Sequence, residues 1–490
     1  MEPLDDCKSS SKHQCTTTST SLLLAIKLAK DRAMAAMAPT QQALPPPILG
    51  VLETTLVTPS PRTGPAAPES SLPLTFFDLP WVNSEPVERV FFYRLAADAD
   101  IATILSNLKT SLSQALHAFY PLAGHLRLTP GTADRYELYY QPGDGVTFTV
   151  AEYSDAVDFD ELATDEPKEV AKITPLAPPL PEGGALLALQ ATVLQRGLAI
   201  GMAVHHAACD GAGSTRFLHT WAAASTGANG PAPPVVDRTL VNDPGSRLYD
   251  CLVKAMPTQM EHVKTPDEHL FDTFTLSKED IQRVKDVISG EAGRRGAAPP
   301  RCSSLVATFS FVWSCYQRAK DAGSNSGDKT YLHFPMDQHS RMKPPIPNEY
   351  LGNCVSVVLN AAPMDQLAAP GAGCLFVACT AVAAGIEDGV GAVASPDTIE
   401  YWTERFKEAA VAGTGMLSVA GSSRFRVYEV DLGFGRPAKV EIVSVARTGA
   451  MAVADGRSSG SAMEVGISLP AAGMQRFQKC FQDAITWLHH

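Results

Sequence analysis

The stretch LAIGMAVHHAACDG, residues 198–211, decides how this chain folds around its candidate chemistry. Residues 198–204 are apolar throughout, which is typical of a strand buried on both faces of a sheet. The preceding run, Leu186 to Leu194, has the same character, and residues 195–197 form a short turn between the two. The pattern therefore predicts a buried hairpin that delivers two histidines at the end of its second strand, with a helix following from about Ser214.

His206 and Asp210 form an H-x-x-x-D pattern directly after this predicted strand. Histidine titrates near pH ~6.5, so a neutral imidazole is available as a base at about pH 7–8. The end of a rigid strand gives such a ring an open position. A general base of this kind contributes about 10²- to 10⁴-fold to a reaction in which a hydroxyl must lose its proton. Gly211 is expected to allow a tight turn after the aspartate.

Two other chemistries compete with a histidine base. His205, His206 and Asp210 could ligate a metal, but adjacent histidines converge poorly on one ion and no third site has ligand spacing, so no metal is predicted. Residues 456–460 match G-x-S-x-G by letters. A strand-like run follows them from Met463 where a nucleophile elbow needs a helix, so they predict a turn. A satisfied core histidine is the interpretation kept for His205.

The whole chain alternates predicted strands and helices and divides into two halves. Apolar residues recur every three or four positions from Ile104 to Phe119, which predicts an amphipathic helix, and Ser277 with Asp280 predicts a helix cap. Prolines and glycines crowd the region between the halves. We predict an α/β protein with a disordered tail at 1–46, an N-terminal domain at 47–225, a crossover linker at 226–270 and a C-terminal domain at 271–490.

Composition limits the partners and the compartment. The chain has 490 residues, 45% of them hydrophobic, and a formal net charge of -12, so neither nucleic acid nor an anionic membrane is an expected partner. Its 10 cysteines form no C-x-x-C pair, which indicates a reducing compartment, and a cytoplasmic location is predicted. The longest apolar stretch, Cys374 to Ile386, is shorter than the roughly 18 residues that a membrane span requires.

Three motifs in this order resemble the plant BAHD acyltransferase family. The first is His206 to Gly211, the second is Tyr350-Leu351-Gly352-Asn353-Cys354, and the third is Asp431-Leu432-Gly433-Phe434-Gly435. They resemble the family patterns H-x-x-x-D, Y-F-G-N-C and D-F-G-W-G, and the second is typical of the branch that acylates phenolic glycosides. The resemblance runs from about Pro47 to the C-terminus.

The resemblance implies two chloramphenicol-acetyltransferase-like domains joined by a long crossover loop, with a channel between them. It implies an acyl-CoA-dependent enzyme in which His206 deprotonates the acceptor hydroxyl and no acyl-enzyme forms. Acyl-CoA would be a co-substrate, no group would be tightly bound, and the protein would work as a monomer on a small acceptor. The branch favours malonyl-CoA as donor and a flavonoid, anthocyanin or other phenolic glucoside as acceptor. A hydroxycinnamoyl-CoA transferase and a non-catalytic family member are the alternatives.

The resemblance also assigns roles to further residues. Asp210 would be a structural orienter paired with Arg341, and Asp431, Gly433 and Gly435 would hold the architecture away from the chemistry. Ser303 and Ser304 fall where family members approach CoA.

Two departures from the family patterns matter, because Phe434 keeps the bulk of the family's tryptophan but loses its indole N–H, and Leu351 replaces a phenylalanine. Leu432, Phe434 and Leu351 stand where the family has Phe, Trp and Phe, and none of these changes touches the base, so activity is expected. A malonyl carboxylate calls for an arginine in its pocket. Arg196 and Arg447 are the candidates, although nothing in the sequence places either one in the channel.

Overall fold

A computed structural model describes residues 49–60, 65–153, 157–255, 268–320, 328–391, 396–411, 416–458 and 461–490. The predicted tail at 1–46 lies outside these residues. Two large sheets and one small sheet organise this part of the chain. The strands are β1 Leu49–Val57, β2 Ser70–Pro73, β3 Val87–Arg94, β4 His125–Leu128, β5 Tyr136–Tyr140, β6 Val146–Tyr153, β7 Lys168–Glu169, β8 Leu187–Leu194, β9 Gly197–Val204, β10 Leu270–Ser277, β11 Lys329–Asp337, β12 Val355–Pro363, β13 Met416–Gly421, β14 Lys439–Ile442, β15 Met451–Asp455 and β16 Ser461–Leu469.

Helices cover the faces of both large sheets. They are α1 Ile101–Ala118, α2 Phe159–Leu162, α3 Val170–Ile173, α4 Gly211–Thr226, α5 Arg247–Ala255, α6 Lys278–Arg294, α7 Ser304–Ala319, α8 Met364–Ala368, α9 Ala372–Gly391, α10 Pro396–Val411, α11 Val443–Thr448 and α12 Ala471–Leu488.

The predicted hairpin is confirmed and lies at the centre of the first sheet, whose strand order is β1-β6-β8-β9-β3-β14. Strand β9 pairs antiparallel with β8 from Leu187↔Val204 to Leu194↔Gly197, and all eight of its residues are buried. One face is covered by α1 and α4, and the other by the 157–177 region and α11. Burial on both faces explains why the strand has no polar residue, and it fixes the strand end rigidly.

The second sheet has the order β12-β11-β13-β15-β16-β10-β7 and its own apolar core. Helix α6 starts with the predicted capping box, in which Ser277 Oγ accepts from the Asp280 N–H while the Asp280 carboxylate accepts from the Ser277 N–H. Residues 456–458 follow β15, and β15 pairs antiparallel with β16. The G-x-S-x-G letters therefore lie between two paired strands, as predicted, and lack the helix of a nucleophile elbow.

Each large sheet takes one strand from the other half of the chain. Strand β14 pairs antiparallel with β3 at the edge of the first sheet, and the two-residue strand β7 pairs with β10 at the edge of the second. The predicted boundaries at 225 and 271 therefore do not separate the sheets. The reciprocal exchange ties the halves together by backbone hydrogen bonds.

Buried ion pairs accompany the strand exchange. Lys168 of β7 and Glu441 of β14 lie 2.6 Å apart with side-chain exposures of 3% and 1%. Lys168 also donates to the backbone carbonyls of Leu162 and Thr164. Lys439, fully buried on β14, pairs with Asp165 of the first half. Charges taken out of water are tolerated only when they are paired and hydrogen-bonded, so these contacts fix how the two halves meet.

Helix α9 is the most apolar helix among the described residues. Residues 372–389 within it are long and apolar enough to cross a membrane, with a mean hydropathy of 1.4. This corrects the expectation that the apolar stretch is too short, because the helix adds Ala372 and Gly373 before Cys374 and residues 387–389 after Ile386, and the 18-residue window keeps this hydropathy despite the two acids Glu387 and Asp388. Leu375, Ala378 and Val382 are buried in the second core, which is where a core helix of this composition packs.

Replacing Lys168 by Met is expected to lower the free energy of unfolding by about 3–5 kcal/mol, because Glu441 would keep a buried charge without its partner. Urea unfolding followed by far-UV circular dichroism measures the change. The double variant Lys168→Met/Glu441→Leu removes both charges and should recover most of the loss. A single variant as stable as the wild type would contradict the assignment.

Candidate active site

His206 lies two residues beyond β9, in the loop that joins this strand to α4. The residue is partly exposed, and its ring stacks on the Trp81 indole, with the centroids 3.8 Å apart and the planes 10° from parallel. The Nδ1 atom is buried and has no hydrogen-bonding partner among the described residues. One face of the ring is therefore fixed by packing, and Nδ1 is left without a partner.

The surroundings of His206 keep its ring neutral. Burial lowers its pKa to about 4, and the neighbouring Asn353 side chain offsets this only in part. At pH 7 a ring with this pKa is almost entirely unprotonated, so it can accept a proton. The indole of Trp81 excludes water from one face and contributes to this desolvation.

Asp210 is buried and caps the N-terminus of α4. Its Oδ1 accepts from the N–H groups of Ala212 and Gly213, both at 3.0 Å, and its Oδ2 accepts from the Cys354 N–H at 3.1 Å. Burial raises its pKa, and these N–H groups act in the opposite direction. A Cβ on Gly211 would lie 2.7 Å from the Phe425 ring, so this glycine is required for space. The sequence analysis had instead assigned it to a tight turn.

Arg341 does not pair with Asp210, and that expectation is wrong. The Arg341 guanidinium donates to the backbone carbonyl of Asp337, at the end of β11. The charge of His339, two residues earlier, acts to lower the pKa of Asp210. The segment is a 3₁₀ turn, His339–Arg341, and both side chains bond to Asp337: His339 contacts the carboxylate and Arg341 the backbone carbonyl.

The segment 350–354 is hydrogen-bonded to the His206 loop through two backbone groups and the Asn353 side chain. The Gly352 carbonyl accepts from the Asp210 N–H at 3.4 Å, and Asn353 Nδ2 donates to the His206 carbonyl at 2.9 Å. Cys354 completes the contact through its N–H. These bonds span more than 140 residues of sequence and hold both ends of the H-x-x-x-D loop.

Two charged residues that the sequence analysis did not single out stand behind this contact. Asp78 is fully buried and accepts from the Asn353 N–H and Nδ2 and from Thr75. Arg238, from the predicted linker, lies 3.7 Å from the Asp78 carboxylate and donates to the Tyr350 hydroxyl. Asp78 could have been identified as an aspartate inside an apolar aromatic segment, because a carboxylate in such a setting requires buried partners.

Asp431 closes a turn that precedes β14. Its Oδ1 accepts from the N–H groups of Gly433 at 2.8 Å and Gly435 at 3.0 Å, and both glycines have φ near +100°, the left-handed region. The Phe434 ring packs edge-on against Tyr93 of β3, and β14 follows directly. The turn thus aims the exchanged strand at the first sheet, as a structural role requires.

Ser303 and Ser304 lie at the start of α7. Ser303 Oγ accepts from the Val306 N–H as the helix cap, and Ser304 Oγ accepts from Lys285. Neither serine has a hydrogen bond to the His206 loop in the part of the chain that the structure describes. Their contact with CoA stays a prediction.

The two candidate arginines occupy different ends of the first sheet. Arg196 lies in the β8–β9 turn and pairs with Asp158 and Asp160 at the surface. Because β9 has eight residues at ~3.3 Å each, this turn is about 26 Å from the strand end that carries His206. Arg196 is therefore excluded as a ligand of the malonyl carboxylate on the acyl donor. Arg447 of α11 pairs with Glu88, which faces Ala203 across β3 and β9, nearer the histidine.

A metal site is not formed by the adjacent histidines. His205 Nδ1 accepts from the Ala207 N–H at 3.2 Å, and burial lowers the His205 pKa. Within the described ranges, no group of three or more His, Cys, Asp or Glu side chains has an arrangement that could hold a metal ion.

This fold and site define a class of two-domain α/β acyltransferases of the chloramphenicol-acetyltransferase type. The chain belongs to the Transferase family, the plant BAHD acyltransferases, whose family model matches residues 49–484. The chain is thus an acyltransferase that uses an acyl-CoA donor. Its structure resembles that of vinorine synthase, with a TM-score of 0.64 at 19% identity over 88% of this chain and 96% of that chain.

Curated relatives include enzymes with both kinds of donor. The chain is 33% identical to phenolic glucoside malonyltransferase 1 of Arabidopsis thaliana, over 86% of this chain and 94% of the relative. It is 29% identical to coumaroyl-CoA:anthocyanidin 3-O-glucoside-6''-O-coumaroyltransferase 1 of the same plant, over 89% of this chain and 97% of the relative.

Replacing Asn353 by Ala should lower the free energy of unfolding by about 1–3 kcal/mol and also reduce turnover, because the His206 carbonyl and Asp78 lose a buried donor. Asn360→Ala is the matched control, since Asn360 is equally buried and donates to the Leu332 carbonyl in the second sheet. It should lose comparable stability and keep its turnover number. Equal turnover numbers for the two variants would contradict a role of Asn353 in holding the catalytic loop.

Proposed function

We propose that this protein transfers a malonyl group from malonyl-CoA to a sugar hydroxyl of a flavonoid, anthocyanin or other phenolic glucoside, with His206 as general base. The observation that carries the proposal is the imidazole of His206, stacked on Trp81 just beyond a buried strand, in a loop that Asn353 holds at the His206 carbonyl and Asp210 holds four residues later. Malonyl transfer is the named activity of the relative with 33% identity.

The reaction requires one base and no covalent intermediate on the protein. His206 removes the proton from the acceptor hydroxyl as its oxygen attacks the thioester carbonyl. The tetrahedral intermediate then collapses, the C–S bond breaks, and the protonated imidazole returns the proton to the CoA thiolate. Since one ring accepts and returns the proton, its position relative to both substrates matters more than its basicity. Asp210, remote from the reacting atoms, keeps the loop in place.

The donor is the less constrained half of the proposal. A malonyl carboxylate would find Arg447 at the sheet end nearer His206, with Glu88 already paired to it. A hydroxycinnamoyl group would instead require an aromatic surface, and Trp81 beside His206 offers one. The relative that uses coumaroyl-CoA supports this second candidate function. A non-catalytic role is disfavoured by the intact His206 and Asp210.

The state of the cysteines supports the proposed location. All eight cysteines in the described part of the chain are free thiols, as expected for a reducing compartment. We therefore keep the cytoplasm as the proposed location, with CoA and the glycoside as small-molecule partners.

Free-thiol release from malonyl-CoA and coumaroyl-CoA, with and without a flavonoid glucoside, tests the proposal. Release should depend on the acceptor, be faster with malonyl-CoA, and fall about 10²- to 10⁴-fold in His206→Ala. His205→Gln is the control and should keep most of the activity. A clear preference for coumaroyl-CoA would replace the donor, whereas release without acceptor would indicate a hydrolase.

The acid limb of the pH–rate profile should lie far below the ordinary histidine range. Burial lowers the pKa of His206 to about 4, so the fraction of neutral base falls only as the pH drops through about 4. We expect kcat/KM of the free enzyme to be nearly constant from pH 7 to pH 5.5, measured while circular dichroism confirms that the protein stays folded. A half-maximal rate near pH 6.5 would show that the ring is solvated.

A further inference from the structure

We propose that Trp81 is a positioning residue for His206, and that its indole face both fixes the imidazole and stabilises the imidazolium that forms when the ring takes the acceptor's proton. The inference rests on the proposed role of His206 as general base. It assigns to an aromatic ring the two tasks that an aspartate carboxylate performs beside the histidine of a Ser-His-Asp site.

The stack between Trp81 and His206 has the geometry of a cation–π contact. The two ring centroids lie 3.8 Å apart, and the planes are 10° from parallel. A cation within about 6 Å of an aromatic centroid is attracted by the negative face of the ring, and tryptophan offers the strongest such face among the side chains. The indole of Trp81 is therefore in place to stabilise a positive charge on the imidazole of His206.

The nearby carboxylates do not supply this stabilisation through a contact with the ring. The Nδ1 atom of His206 is buried and has no hydrogen-bonding partner in the part of the chain that the structure describes. The Asp210 oxygens accept from backbone N–H groups, and the Asp78 carboxylate accepts from Asn353. Asn353 is itself neutral, and its Nδ2 donates to the His206 carbonyl. The indole face of Trp81 is thus the group in contact with the ring that favours a positive charge.

Burial of His206 makes such a compensating group important for the rate. Burial lowers the pKa of His206 to about 4, so the ring is neutral before the reaction. The same desolvation opposes the imidazolium that forms as the proton is transferred. The attraction to the indole grows as the charge develops, so it is stronger in the transition state than in the ground state. An interaction of this kind accelerates the chemical step.

One set of hydrogen bonds holds both rings of the stack. Trp81 ends a 3₁₀ turn of three residues that begins after Asp78, and its N–H donates to the Asp78 carbonyl at 3.1 Å. Ser84 Oγ donates to the Trp81 carbonyl at 2.8 Å. The Asp78 carboxylate accepts from Asn353 Nδ2, which also donates to the His206 carbonyl. One amide therefore ties the segment that carries the indole to the loop that carries the imidazole.

Fluorinated tryptophans test the electrostatic role, because fluorine withdraws electron density from the indole face and changes its shape little. The wild type is prepared with mono-, di- and trifluorotryptophan and assayed with whichever of malonyl-CoA and coumaroyl-CoA reacts faster. We expect kcat to fall stepwise, about 10-fold in total, with KM for donor and acceptor within twofold. The chain has 5 tryptophans. Trp81→Phe enzyme with the same labels is therefore the matched control, and its kcat should not vary along the series.

Side-chain replacement gives a second measure of the same role. Trp81→Leu removes the aromatic face and should lower kcat about 10- to 30-fold, whereas Trp81→Phe keeps a weaker face and should recover part of the loss; urea unfolding checks that each variant folds. A flat fluorotryptophan series in the wild type, or an equal decline in Trp81→Phe, would overturn the inference and leave the His206 base intact. Activity that survives in His206→Ala would refute the base and, with it, the role of Trp81.

Discussion

The buried carboxylate of Asp210 is the constraint on which the site depends. One carboxylate begins α4 through two N–H groups and reaches segment 350–354 through a third. A buried anion must be hydrogen-bonded. Asp210 therefore fixes the end of β9, the start of α4 and a loop 144 residues away relative to one another. His206 is placed by this arrangement and contributes only its backbone carbonyl, which accepts from Asn353 Nδ2.

A second layer of buried charge extends the constraint to the linker. Asp78 binds Asn353, Arg238 approaches Asp78, and Tyr350 accepts from Arg238. The Val235 N–H and carbonyl pair with Glu349 and Leu351. The crossover between the halves is consequently part of the wall behind the catalytic loop, in addition to joining the halves.

Local sequence patterns predicted the features that depend on neighbouring residues. They did not predict contacts between residues that are far apart in the chain. The apolar run at 198–204, the helix from Ile104 and the cap at Ser277 each follow from periodicity or spacing, and all three are observed. The linker was expected to be irregular, yet it contains α5 and supplies Arg238, whose partners are more than 100 residues away. On the turn after β11, Arg341 donates to the Asp337 carbonyl and not to Asp210, and the sequence pattern alone does not encode this choice of partner.

The strand exchange sets the order in which the molecule can be completed during synthesis. When α4 leaves the ribosome, the first sheet still has β3 as an open edge with Phe91 and Phe92 on it, because β14 begins 213 residues after the end of α4 (439 − 226). At ~5–20 residues per second, this edge stays unpaired for about 10–40 s. An unpaired apolar edge is a template for aggregation, so the nascent chain passes through a long vulnerable interval that the finished fold no longer displays.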